Sequence, residues 1–209
     1  MESFNENLFL WINGRFASPL MDGLMSFVTV TGDATVVISF GLMLIWMWRL
    51  APWRCRRGRM MALFLVALAV GGGGMHAIKQ NLPKDRPLAH FAERMEKGEV
   101  TMRAPFSQLY HRTFPSGHTQ TAFGAAMFLS LAIRKPGAIM ALLTWASMVG
   151  LSRVYIGVHF PMDIAAGAVL GAGCAWMVYR FAGGLSLSVR LQAMDGTAGE
   201  RAAPDSLST

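Results

Sequence analysis

The chain has 209 residues, 53% of them hydrophobic and 15% charged, against roughly 25% charged in an ordinary soluble domain. That balance disfavours a soluble globular protein, and the abundance of Phe, Met and Trp excludes a disordered one, because so apolar a chain has ample surface to bury. In this setting the net charge of +7 points to anionic lipid or phosphate ligands, and no nucleic-acid partner is expected. The length suits one domain. Cys55 and Cys174 stand far apart, which is too little for a disulfide framework or a zinc site, and both read as plain thiols.

A bilayer core demands about 20 mainly apolar residues in helical form. Residues 1–22 begin with acidic Glu2 and Glu6 and lack the features of a cleavable signal. Their Leu8, Phe9, Trp11, Ile12 and Phe16 fit an interfacial helix. Five stretches nearly free of charge follow: Gly23 to Trp48, interrupted by Asp33, then Met60 to Ile78, Thr113 to Ile133, Pro136 to Ser152 and Ile164 to Tyr179. Their spacing predicts an all-α membrane bundle of about five spans, forming one domain over 23–183. A disordered cytoplasmic tail is expected over 184–209, where Ser, Ala, Gly and Thr dominate. There is no convincing internal repeat.

Between the first two spans lie Arg49, Arg54, Arg56, Arg57 and Arg59, which the positive-inside rule assigns to the cytoplasm. Counting spans from there puts the N-terminus outside, and Arg134, Lys135 and the tail inside. It also leaves a long connection from Lys79 to Arg112 outside, carrying Lys79, Lys84, Arg86, Arg94, Lys97, Arg103 and Arg112 against the rule. Charge kept on its disfavoured side implies a task there.

Span parity gathers three polar clusters on that outer rim: Lys79 with Arg86, Ser116 with His118, and Ser152, Arg153, His159 and Asp163. Three cations, two imidazoles, two hydroxyls and one carboxylate suit an anion, and guanidinium forks suit phosphate oxygens in particular. Pro115, Ser116 and Gly117 stand where a helix begins, so free amides and the positive end of the helix dipole add an anion seat, with Gly117 permitting close approach. Phosphoryl transfer requires a nucleophile, a proton donor to the leaving oxygen and positive charge about the equatorial oxygens. Two histidines can divide the first two tasks. Asp163, four residues after His159, could hold that imidazole in an attacking tautomer, with His118 protonated beside the bound phosphate.

These residues stand in a pattern. KQNLPKDRP from Lys79 to Pro87, PSGH from Pro115 to His118 and SRVYIGVHFPMD from Ser152 to Asp163 match KxxxxxxRP, PSGH and SRxxxxxHxxxD in order and spacing. The chain from about Met60 to Tyr179 thus resembles the type-2 phosphatidic acid phosphatases, membrane lipid phosphatases that share a core with the vanadium haloperoxidases. The resemblance implies a metal-independent phosphohydrolase with no cofactor, in which His159 forms a phosphohistidine, Asp163 orients it and His118 protonates the leaving group. Lys79, Arg86, Ser116, Gly117 and Arg153 would hold the phosphate. It further implies a multi-pass protein of a bacterial inner membrane with its site facing the periplasm. Undecaprenyl diphosphate is the first expectation for the substrate. Phosphatidylglycerophosphate, phosphatidate and lipid A are alternatives, as is transfer of the phosphoryl group to another lipid.

Each residue has a plainer reading: Lys79 and Arg86 as snorkelling or loop charges, His118 and Asp163 as helix caps, Ser152 and Arg153 as a helix end. Joint occurrence in order along one rim is what lifts them above it. An anionic-lipid transporter would instead place polar groups near the midplane on paired broken helices. A vanadate-dependent oxidase is disfavoured by the apolar spans. Asp33 reads as a helix break, Gly71 to Gly74 as close helix packing, and His76, His90 and His111 receive no role.

Overall fold

The computed structural model describes residues 2–15, 18–47, 57–102 and 110–201. Phe16, Arg49, Arg54, Cys55, Arg56, Arg103 and 202–209 lie outside the described residues. Everything regular within them is helix: α1 Glu2–Arg15, α2 Pro19–Thr31, α3 Ala34–Met47, α4 Arg57–Asn81, α5 Pro87–His90, α6 Ala92–Glu96, α7 Gly117–Ile133, α8 Pro136–Tyr155 and α9 Pro161–Arg201. Among the described residues, three helical segments are long and apolar enough to cross a membrane singly: Gly58–Asn81, Pro136–Tyr155 and Pro161–Ala182.

The first apolar stretch is not one straight span. It is α2 and α3, bent by 65° at a short break and together passing the same test. The cause is local: the Gly32 amide bonds back to Thr29 O and Val30 O, and the Asp33 carboxylate accepts from Thr35 N at 2.9 Å, starting a new helix. The third stretch likewise becomes helical only at Gly117, because Pro115 and Ser116 precede the first turn. At 17 residues, or roughly 26 Å, α7 is shorter than the bilayer core. α9 continues past Gly184, where a disordered tail is expected from composition, as far as Arg201. Ala, Leu, Arg, Gln and Met there are good helix formers propagating from a helix already nucleated.

α7 is the central post, packed by α3, α4, α8 and α9. Towards one end of the bundle the core holds Phe64, Phe128, Leu68 and Leu129, with Phe64 and Phe128 edge to face at 5.5 Å. Towards the other end, α7 and α9 approach until only glycine fits between them. A Cβ on Gly167 would lie 2.6 Å from Ser116 O, and one on Gly171 would overlap Gln120 O. This small-xxx-small pair lets backbones touch without a hydrophobic driving force. Of the four glycines at 71–74, Gly71 alone is tightly packed, against Gln120. Gly74 makes an ordinary contact with Leu170, and Gly72 and Gly73 face open space.

Gly171→Ala is therefore expected to force α7 and α9 apart and to cost about 1–3 kcal/mol, seen as a lower unfolding temperature in detergent. Gly72→Ala, which meets nothing, should leave that temperature unchanged or raise it slightly. Equal behaviour of the two variants would refute this packing account.

Candidate active site

The site sits where α4 ends, α7 begins, α8 ends and α9 begins, and each junction is built by local rules. α8 stops because Gly157 turns the chain at φ +79°, in the left-handed region where glycine carries no Cβ penalty. Its last carbonyls are taken up by Ile156 N on Ser152 O, Gly157 N on Val154 O and Val158 N on Arg153 O. Three residues later Pro161 opens α9, and Asp163 Oδ2 reaches back to accept from Phe160 N at 2.8 Å, an arrangement like a capping box. His159 is thereby held in a short, doubly capped turn. Ser116 N donates to Asp163 O at 3.1 Å, joining the N-terminus of α7 to that of α9.

Burial is deep. Ser116 and Asp163 are fully buried, His159 is 2% exposed, Arg153 8% and Arg86 9%, while Lys79 and His118 are half-buried. Electrostatics place these groups together: Lys79 interacts with Arg86, Arg153 and Asp163, and His118 with Arg153, Asp33, Lys79 and Arg86. His159 interacts with Asp163, Arg86 and Arg153. The structure thus brings Lys79, Arg86, Arg153, Ser116, Gly117, His118, His159 and Asp163 to one end of the bundle. Ser152, by contrast, donates to Val149 O within its own helix at 2.7 Å and plays a helical role.

The two buried guanidiniums are anchored on one edge. Arg86 donates from Nε to His111 O at 3.0 Å and from Nη1 to Val158 O at 3.2 Å. Arg153 donates from Nη1 to Thr29 Oγ1 at 2.7 Å, while its buried Nε has no partner. Three cations thus face one deeply buried carboxylate, and such a surplus in a low-dielectric setting is costly until an anion enters. Burial pushes the His159 imidazole down to about 4, with the Arg86 and Arg153 charges acting in the same direction and Asp163 opposing. Burial also lowers the Arg86 guanidinium, with Asp163 opposing.

Asp163 is not the nearest partner of His159. The His159 Nδ1 to Asp163 Oδ2 separation is 3.5 Å, too long for a good hydrogen bond. Thr113, fully buried, stands between them, with Oγ1 3.1 Å from His159 Nδ1 and 2.5 Å from Asp163 Oδ2. Thr113 lies two positions before the PSGH run and belongs to none of the three motifs. α1, expected at the interface, also reaches the site. Phe9 is buried against Phe91 and Phe160, ring centroids 5.7 and 5.3 Å away. Asn13 donates to Tyr155 O at 2.7 Å, and Asn5 accepts from Met162 N at 3.0 Å, so α1 braces the turn carrying His159.

Part of the basic surplus of the outer connection is spent away from the site. Arg94 pairs with Glu6 and Glu99, and Lys97 with Glu93. His90 meets Glu6 and His111 meets Asp85. Among the described residues of that group, Lys79 and Arg86 enter the cluster. Asp33, at the bend, is both a cap and an electrostatic neighbour of His118.

A bundle of membrane helices with this cationic end, and with the three motifs on its rim, defines a class of phosphate-handling membrane proteins. Comparison with known proteins narrows it. The PAP2 superfamily matches residues 60–186, and the chain belongs to that family. It is similar to the lipid A 4'-phosphatase of Bacteroides thetaiotaomicron, 38% identical over 79 residues, 38% of this chain and 34% of that protein. That match spans about a third of the relative's length. It is also similar to the putative undecaprenyl-diphosphatase YbjG of Escherichia coli, 29% identical over 180 residues, 83% of this chain and 81% of that one. Among solved structures, Aquifex aeolicus LpxE superposes with a TM-score of 0.71 at 25% identity, covering 85% of this chain and 95% of that one. The phosphatidylglycerolphosphate phosphatase of Bacillus subtilis shares the fold at a TM-score of 0.60 and 21% identity, covering 86% and 85%.

The low value for His159 has a measurable consequence. An unfolded chain would bind a proton there near 6.5, whereas the folded one resists until about 4. Between those values the unfolded state holds more protons, so the stabilisation from neutral His159 is present above about pH 6.5 and is lost as pH falls towards 4. Unfolding of the protein in detergent over that range should show this acid limb, and His159→Asn should flatten it. An unaltered limb in the variant would contradict the assignment.

Proposed function

We propose that this PAP2-type lipid phosphatase releases phosphate from a lipid phosphate or diphosphate through a phosphohistidine on His159. The observation that carries the reading is the surplus of buried positive charge around an imidazole kept neutral by burial. A phosphoryl dianion supplies the missing charge. A neutral imidazole supplies the lone pair.

In this reading Lys79, Arg86, Arg153, the Ser116 hydroxyl and the Gly117 amide hold the non-bridging oxygens. They bind the spreading charge of the transition state more tightly than that of the substrate. His159 Nε2 attacks phosphorus in line, and the P–O bond to the lipid breaks. That oxygen takes a proton from His118, which leaves His118 neutral and a phosphorylated imidazole on His159. A water then gives its proton to His118 and attacks phosphorus, which breaks the N–P bond and returns both histidines to their starting forms. Asp163 balances the charge on the phosphorylated ring. The residues named need no metal for these steps.

The substrate assignment rests on the relatives. Undecaprenyl diphosphate is favoured by the near full-length similarity to the putative undecaprenyl-diphosphatase. Lipid A and phosphatidylglycerophosphate are the alternatives, raised by the other matches. The positive-inside reading places the catalytic end on the periplasmic face of a bacterial inner membrane. Residues 23–183 serve as the membrane domain, and α1 lies at the interface. An apolar groove between α3, α7 and α8 supports a long hydrocarbon chain on the substrate. It is lined by Val36, Phe40, Leu44, Leu129, Leu142 and Trp145, and begins roughly 12 Å along α8 from Arg153 at 1.5 Å per residue.

Purified protein in detergent with a chelator present is expected to release inorganic phosphate from a panel of lipid phosphates, the ranking naming the substrate. His159→Ala should abolish turnover, and His118→Ala should slow most the substrates with the poorest leaving groups, by about 100-fold or more. Activity restored only by added divalent metal, or a wild-type rate in His159→Ala, would sink the mechanism.

Ala141 also lines the groove. Ala141→Trp should lower kcat/KM for a long-chain lipid phosphate by about tenfold, roughly the worth of a few displaced methylenes. A short-chain water-soluble phosphomonoester should be unaffected. Equal losses on both would remove the groove from the substrate path.

A further inference from the structure

We propose that Thr113 is a positioning residue that fixes the proton of His159 on Nδ1, acting as a relay between that imidazole and Asp163. The part of this that concerns catalysis rests on the reading of His159 as nucleophile. The part that concerns the tautomer does not.

The argument is an accounting of protons. A threonine hydroxyl has one proton to donate and lone pairs with which to accept, and an ionised carboxylate can only accept. Thr113 Oγ1 lies 2.5 Å from Asp163 Oδ2, so its proton is committed there, in a charge-assisted bond. The same oxygen lies 3.1 Å from His159 Nδ1, and with its proton spent it can only accept from that ring. Nδ1 must then carry the hydrogen, and Nε2 keeps its lone pair. Direct contact cannot do this as well, since Asp163 Oδ2 is 3.5 Å from Nδ1 and already accepts from Phe160 N. All three groups are buried to 2% exposure or less, so water does not substitute for the hydroxyl.

The backbone aims Thr113 at this point. Its amide donates to Lys84 O at 3.0 Å, and Arg86 N donates to Tyr110 O at 2.9 Å. A short pairing of 84–86 with 110–113 therefore fixes the hydroxyl relative to the Arg86 guanidinium. Arg112, just before it, adopts φ +59°, a conformation uncommon for a residue with a Cβ. The chain reverses there, and the next side chain turns into the core. A valine would fill nearly the same space without accepting or donating, so the hydroxyl is what the position requires.

The test compares Thr113→Val, Thr113→Ser and the wild type. Thr113→Val is expected to lower kcat on a lipid phosphate by about 100-fold, less than the roughly 10⁴-fold that follows loss of a carboxylate setting a catalytic tautomer, with KM changed less than about threefold, and Thr113→Ser should restore kcat to within about fivefold. In parallel, nitrogen NMR of histidine-labelled protein, with the His159 signals identified by their loss in His159→Asn, should show Nδ1–H in the wild type and in Thr113→Ser. Thr113→Val should show a population of Nε2–H. If Thr113→Val does not fold, Thr113→Ala against Thr113→Ser makes the same comparison, because that pair differs by the hydroxyl alone. Wild-type kcat in Thr113→Val, equal impairment of the Val and Ser variants, or an unshifted tautomer in Thr113→Val would overturn the proposal. A wild type that releases no phosphate from any lipid overturns the phosphatase reading instead, and the tautomer measurement still decides the role of Thr113.

Discussion

Positive charge in excess of its one internal carboxylate is the constraint around which one end of this bundle is arranged. Lys79, Arg86 and Arg153 approach one another closely enough to interact, with Asp163 the only carboxylate buried among them within the described residues. Groups of like sign do not settle into such a place unaided, since each loses hydration and gains repulsion. The scaffold holds them by fastening one side of each guanidinium to something fixed: carbonyls of His111 and Val158 for Arg86, the Thr29 hydroxyl for Arg153. The buried Arg153 Nε is left without a partner, and in the proposed reading the uncompensated charge is what a dianion would meet. The close α7–α9 seam serves this end, because Gly167 against Ser116 O sets the two helix N-termini side by side.

Structural and chemical duties fall on the same atoms. Asp163 caps α9 through Oδ2 and, through the Thr113 hydroxyl, stands behind His159. Ser116 precedes the first turn of α7 without spending its side chain on the helix, and the bond it accepts comes from Thr119 Oγ1 at 3.0 Å. Gly157 permits the turn that delivers His159 four residues after α8 closes at Tyr155. The plain reading of these residues as helix punctuation and the chemical reading are thus not rivals. Lengthening the interval SRVYIGVHFPMD would uncap one helix or displace the imidazole.

How much of this was legible follows from the range of the interactions involved. Lys79, His118, Arg153 and Asp163 could be brought together on paper because they stand at the ends of apolar runs, and parity of the runs does the rest. The helical class of the fold came from the same charge-free spacing. Thr113 could not be found this way. Its importance depends on a separation of 46 positions from His159 and 50 from Asp163, and a threonine before a proline-containing turn has no pattern of its own. The brace formed by Asn5, Phe9 and Asn13 is hidden for the same reason. The bend at Gly32 and Asp33 was visible as a break, but its direction, and hence its approach to His118, was not. Gly167 and Gly171 carry a small-xxx-small spacing that periodicity alone would have flagged, whereas the more conspicuous run at 71–74 drew attention to glycines that are mostly open.

The division of labour along the chain has a consequence for specificity. Relatives whose names differ in the lipid they act on are alike similar to this chain, so the likeness does not single out one lipid. In the proposed reading, discrimination falls to what the remainder of a lipid meets. Residues before position 60 supply part of that surface, with Thr29 on Arg153, Asp33 beside His118, and Val36 and Phe40 along the groove, whose other walls come from α7 and α8. The bend between α2 and α3 does two things with one feature. It brings a hydroxyl and a carboxylate to the rim of the phosphate site, then redirects the chain so that α3 runs away from it as one wall of an apolar slot. A straight helix of the same length could supply the wall or the rim contacts, but not both, because its side chains advance along a single axis. In the proposed reading, the break that makes this stretch a poor membrane span by itself is what links the headgroup's contacts to those of the chain.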